Sequence, residues 1–121
     1  MTVELNHIIV PAHDKHISAR FLADVLGLEA GMEIGPFVQL QVDNGVTLDF
    51  MDAEGFEAHH CAFLVNDAAF DAALQRIRAT GVTYWADPFH AREGEINHNN
   101  GGRGLYFADP GGHNMELLTA P

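Results

Sequence analysis

Two spacings of apolar residues alternate along the chain, and each switch marks a new element. Residues 4–10 (ELNHIIV) read as a strand that Pro11 closes. From 14 to 28, Ile17, Phe21, Leu22, Val25 and Leu28 fall at helical spacing, with Asp14 as the N-cap and Gly27 as the stop. Three short β-like runs follow: a weak one at 29–34, then FVQLQV at 37–42 and VTLDFMD at 46–52. Asp43-Asn44-Gly45 between the last two is a hairpin signal. After a linker at 53–57 the order starts again. HHCAFLVN at 59–66 is a strand, and Asp67 caps a helix carrying Phe70, Ala73, Leu74 and Ile77 that Gly81 ends. VTYWAD at 82–87, GLYFAD at 104–109 and NMELLT at 114–119 complete the second set, with a long polar loop before the last two.

The chain is therefore an internal repeat of supersecondary type. His7 and His60 occupy matching places 53 residues apart, and Asp49 and Glu116 matching places 67 apart. The excess of 14 residues corresponds to the polar loop after Pro88. Neither half could bury both faces of its sheet alone, so residues 1–121 are expected to form one domain, with a first module at about 1–54 and a second at about 55–121. Alternation places Ile8 with Val10, Leu48 with Phe50, Phe63 with Val65 and Met115 with Leu117 on apolar faces. The opposite faces each carry one polar group at mid-strand: His7, Asp49, His60 and Glu116.

Two imidazoles and two carboxylates are a donor set for one divalent ion per chain, of the Fe, Mn, Co, Ni or Zn kind. A carboxylate on a half-buried strand is costly unless it is paired or ligated. Of the other histidines, His13, His16, His59 and His113 read as turn, helix-start or opposite-face residues, while His90 and His98 lie in the loop and are open to either role.

Composition narrows the partners. Seventeen acidic against 6 basic residues give a formal net charge of −11. That excludes nucleic acid and anionic membrane surfaces, whose phosphates are bound by Lys and Arg. The single cysteine, Cys61, permits no internal disulfide, and MTVELNHIIV is not a secretory leader, so a cytoplasmic location is expected.

The segments FLADVLGLE, HHCAFLV and above all YFADPGGHNMEL, together with His7 in a first strand, resemble the vicinal-oxygen-chelate superfamily of glyoxalases, bleomycin-resistance proteins and extradiol dioxygenases. The resemblance implies an α+β fold of two βαβββ modules forming a cupped mixed sheet, and a homodimer. It implies His7, His60 and Glu116 as metal ligands. Asp49 stands where isomerase-type members carry a glutamate, one methylene longer, so it ligates directly or through a water. Glu116 and Asp49 are also the candidate general bases.

The resemblance further implies a divalent-metal-dependent enzyme acting on a small oxygenated molecule, of lyase, isomerase or transferase type. An extradiol-type Fe(II) dioxygenase is one alternative, and a metal-free ligand-binding protein of the bleomycin-resistance kind is another. For the substrate, the loop 88–103 reads as a lid that supplies Asn97, His98, Asn100 and Arg103, the last as a grip for an anion. Tyr106, Gln39, Gln41 and Trp85 are expected to line the cup; fosfomycin enzymes place a tyrosine where Tyr106 stands.

Overall fold

A computed structural model describes residues 2–121. The chain divides into two compact units, one ending at Glu57 and the other spanning Ala58–Pro121.

The first unit runs β1 (His7–Ala12), α1 (Lys15–Leu26), β2 (Met32–Ile34), β3 (Phe37–Gln41) and β4 (Thr47–Asp52). Its sheet has the order β1-β4-β3-β2, parallel between β1 and β4 and antiparallel elsewhere. The second unit repeats this with β5 (His60–Leu64), α2 (Asp67–Thr80), β6 (Tyr84–Trp85), β7 (Gly104–Ala108) and β8 (Asn114–Leu118), in the order β5-β8-β7-β6. These are the two βαβββ modules of mixed sheet that the repeat predicts.

The helices begin and end for local reasons. The Asp14 carboxylate accepts the N–H groups of His16 and Ile17, and Gly27 closes α1 in the left-handed conformation (φ 71°). In α2 the cap is Asn66, whose side chain accepts from Ala69 N at 2.8 Å; Asp67, expected to cap, is instead the first helical residue. There its negative charge faces the positive end of the helix dipole. Pro11 does not close β1. The strand continues to Ala12, since β1 lies at a sheet edge where a missing N–H costs no ladder bond.

The cores follow the predicted faces. In the first unit Val10, Ala12, Val38, Leu40, Leu48 and Phe50 are buried. The buried stripe of α1 is Ser18, Ala19, Leu22, Ala23 and Val25, while Ile17, expected inside, is 54% exposed. Small residues at 18, 19 and 23 let the helix backbone lie close to the sheet, which outweighs the hydrophobicity of Ile17. In the second unit Phe70, Ala73, Leu74 and Ile77 of α2 are buried as predicted, with Leu105, Phe107, Met115 and Leu117 of the sheet. Among the described residues no helix is long and apolar enough to cross a membrane.

Candidate metal and substrate site

The two sheets carry their polar groups in the same register. In the first unit His7 pairs with Thr47, and Asp49 lies two residues further along β4. In the second His60 pairs with Asn114, and Glu116 lies two residues further along β8. Each acid also has a polar neighbour on the next strand: Gln39 beside Asp49 and Tyr106 beside Glu116. A fourth position holds Met32 beside Gln39 and Trp85 beside Tyr106. The duplication thus extends to the layout of the polar faces.

In the second unit the groups are in contact. His60 Nε2 lies 3.0 Å from Glu116 Oε1, with the imidazole half exposed and the carboxylate largely covered. The buried Tyr106 lies opposite Glu116 on the next strand, close enough for its hydroxyl to feel the carboxylate, and its ring lies 5.9 Å from that of His60. Burial, reinforced by Glu116, pushes the Tyr106 hydroxyl up to about 12, so it is a neutral donor at physiological pH. Trp85 is stacked face to face on His90, with centroids 3.8 Å apart and planes 1° from parallel. His90 holds a left-handed backbone (φ 59°), costly for a side-chain-bearing residue, and its Nε2 lies 2.9 Å from Asn114 Oδ1. Asn114 Nδ2 donates to Pro88 O, which ties the loop to β8 beside His60.

In the first unit Asp49 is 4% exposed. Its Oδ2 accepts only a long bond from Gln39 Nε2 (3.4 Å), and its Oδ1 is buried with no hydrogen-bond partner among the described residues. A buried carboxylate oxygen left this way is ordinarily expensive. His7 lies on an exposed stretch with Nδ1 2.7 Å from Asn6 Oδ1. In the same unit a cleft of about 800 Å³ is lined by Gln39, Gln41, Thr47, Met32 and Leu28. Neither Met32 nor Leu28, the latter read as a helix-face residue, was picked from the sequence as a site residue; their apolar character gave no signal that distinguished them from core.

The donors present suit a divalent ion. Two ligands sharing one ion at bond lengths of about 2.0–2.2 Å stand roughly 3 Å apart when adjacent in its shell, which is the spacing of His60 Nε2 and Glu116 Oε1. In the first unit, taken by itself, Asp49 Oδ1 is a carboxylate oxygen with no hydrogen-bond partner among the described residues. Among the described residues of either unit, no three His, Cys, Asp or Glu side chains are gathered in metal-binding geometry.

The loop residues lie elsewhere. Arg103, expected to grip an anion, donates to Asp71 at 2.7 Å and Asp67 at 3.0 Å and lies over the Phe70 ring, so its charge is committed to α2. The Asn97 side chain donates to Ala86 O and accepts from Asn99 N, bracing the loop. His98 is exposed, and Asn100 is exposed with Nδ2 3.4 Å from Pro121 O.

Residues 4–117 match the Glyoxalase/Bleomycin resistance protein/Dioxygenase superfamily, and the chain belongs to this superfamily. Among solved structures it is similar to "Oxidase ChaP-H2", with 60% identity, a TM-score of 0.97, and coverage of 100% of this chain and 96% of that one. "Oxidase ChaP-H1" is similar at 57% identity, TM-score 0.96, covering 99% of this chain and 98% of that one. Among curated proteins, glutathione transferase FosA of Serratia marcescens is 29% identical over 125 residues, covering 97% of this chain and 81% of that protein.

Proposed function

We propose that this protein is a divalent-metal-dependent oxidase that acts on a small oxygenated molecule with dioxygen as the electron acceptor. The observation that carries the reading is the full-length similarity at 60% identity to a protein named as an oxidase, joined to a His60–Glu116 pair spaced as adjacent ligands. The lyase, isomerase or transferase chemistry expected from the sequence has the lesser support of the 29% identity to the glutathione transferase.

In this reading His60 and Glu116 hold the ion together with His7, and Asp49 completes the shell directly or through a water. His7 and Asp49 come from the same chain or from a second copy in a homodimer. The ion supplies Lewis-acid polarisation of neighbouring substrate oxygens and, if it is Fe or Mn, a redox couple toward dioxygen. The protein does the rest. Tyr106 donates to Glu116 and fixes the carboxylate's direction, as outer partners of metal ligands do. Being neutral at working pH, Tyr106 adds no charge to the site. The stacked Trp85 and His90 form a flat, rigid wall against which a substrate lies, and Gln39 and Gln41 offer amide groups to its oxygens. Where a water stands between Asp49 and the ion, the carboxylate is the candidate base for a substrate proton, since no hydrogen bond engages its Oδ1.

The test has two arms. Protein purified without chelator should carry about one divalent ion per chain, and His60→Ala should lose it. Oxygen uptake with a panel of enediol and hydroxyketone compounds should require the ion and fall by about 100-fold or more in Glu116→Gln, because a ligand is lost. Full metal content in His60→Ala, or the absence of metal-dependent oxygen uptake, overturns the oxidase reading.

A further inference from the structure

The second unit contains a buried polar cluster that the chemistry above does not use. His113 is fully buried, and Asp109 is 5% exposed. Asp109 closes the Pro110–Gly112 turn in two ways. Its Oδ1 accepts the N–H groups of Gly111 (3.0 Å) and His113 (2.8 Å), and its main-chain N–H donates to His113 O at 3.0 Å. With the turn so fixed, the His113 ring reaches β5: its Nδ1 accepts the main-chain N–H of His59 at 2.8 Å. Acceptance at Nδ1 places the proton of the neutral ring on Nε2. The next residue, Asn114, donates its own main-chain N–H to His59 O at 2.9 Å. Both backbone groups of the residue immediately before His60 are thereby gripped by two consecutive residues of the turn. The His59 ring packs edge-on against His113, with centroids 5.0 Å apart.

This arrangement sits where the site needs it. His59 is followed by His60, and Asn114 is both the register partner of His60 and two residues from Glu116. β5 is an edge strand, so only one neighbour in its sheet holds it. A strand held on one side frays at its end unless the last backbone groups are bonded, and here the frayed residue would be the His60 ligand.

We propose that His113 is a positioning residue: its imidazole latches the start of β5 through the His59 N–H and so holds His60 at ligand distance from Glu116. The inference rests on the metal-site reading above for its consequence, though not for the latch itself. His113→Leu removes the acceptor, and the His59 N–H loses its bond to the turn. His113→Asn keeps an acceptor, since the amide oxygen is bonded to Cγ as Nδ1 is in histidine.

Two readouts test it. In metal-free protein, amide hydrogen exchange at residues 59–64 should quicken in His113→Leu and stay slow in His113→Asn. Metal titration of folded protein should show affinity lowered by about 10- to 100-fold in His113→Leu, the range seen when outer partners of ligands are removed, and near the original value in His113→Asn. That recovery should appear even though the smaller side chain leaves the variant less heat-stable. If His113→Leu does not fold, His113→Ala takes its place with the same expectations. A variant that loses thermal stability but binds metal as tightly as the original protein overturns the positioning role. Unchanged exchange at residues 59–64 overturns the latch. Failure of the original protein to bind metal sinks the proposed function alone, because the exchange result still judges the latch.

Discussion

The hydroxyl of Tyr106 joins a buried ring to a charged neighbour, and this sets its titration. Its ionisation is pushed up to about 12, first by burial and then by Glu116. The folded value is raised above the unfolded value of about 10, so the stabilisation is complete below that lower value. It is lost as pH rises from there through about 12. Alkaline unfolding should therefore steepen above pH ~10, and Tyr106→Phe should remove that component while lowering metal affinity through a less well directed Glu116. A stability profile above neutral pH that is identical in the two proteins would contradict the assignment. At this scale the sequence was uneven. The strand face shared by His60, Glu116 and Tyr106 was legible because alternation and the repeat assign it, and the structure sets His60 3.0 Å from Glu116 with Tyr106 on the next strand. Arg103 was misleading: a scarce cation beside a polar loop looks like a substrate grip, but two carboxylates one helical turn apart, Asp67 and Asp71, take its guanidinium. No local pattern in the sequence announces a partner 32 or 36 residues away.

At the scale of elements, the loop after β6 is ordered by one side chain. The Asp87 carboxylate accepts the N–H groups of Phe89, Ala91 and Arg92. The Arg92 N–H, aided by those of Ala91 and Phe89, holds its carboxyl below the usual range. A depressed value means that this support is present above the unfolded carboxylate value and fades as pH falls through the folded one. Asp87→Ala should free the Pro88–His90 turn and expose the bond after Arg92 to trypsin. Cleavage there should be at least several-fold faster, read by mass spectrometry of a short digest, and equal rates would show that the turn is held by something else. The elements themselves were largely readable. Both helix stops, the Asp14 cap and the hairpin before β4 come from side-chain chemistry acting within a few residues. The errors have physical causes that sequence hides: whether a strand is at an edge decides what Pro11 does, and the packing distance of α1 decides whether Ile17 or Ala19 turns inward. β6 is only two residues long because its continuation is diverted into the Asp87 turn.

For the molecule as a whole, charge is the dominant bias. With a formal net charge of −11, the folded state repels itself, and Lys15, Arg92 and Arg103 are among the basic residues already engaged with carboxylates. Raising salt from low to physiological strength shortens the screening length from about 30 Å to about 8 Å. The melting temperature should rise by a few degrees over that range; a fall would mean that the ion pairs matter more than the net repulsion. The superfamily was legible from end to end because duplication writes the same layout twice, whereas the chemistry was not. Reaction type depends on how donors from separate strands converge, and one sequence does not encode that distance.

Trp85 is the only tryptophan in the chain, and it lies flat against His90 at 3.8 Å. Its emission therefore reports from one known spot without any label. Quenching by the imidazole should be relieved whenever the Pro88–His90 turn lifts from the sheet, making intrinsic fluorescence a direct optical gauge of whether that wall is seated.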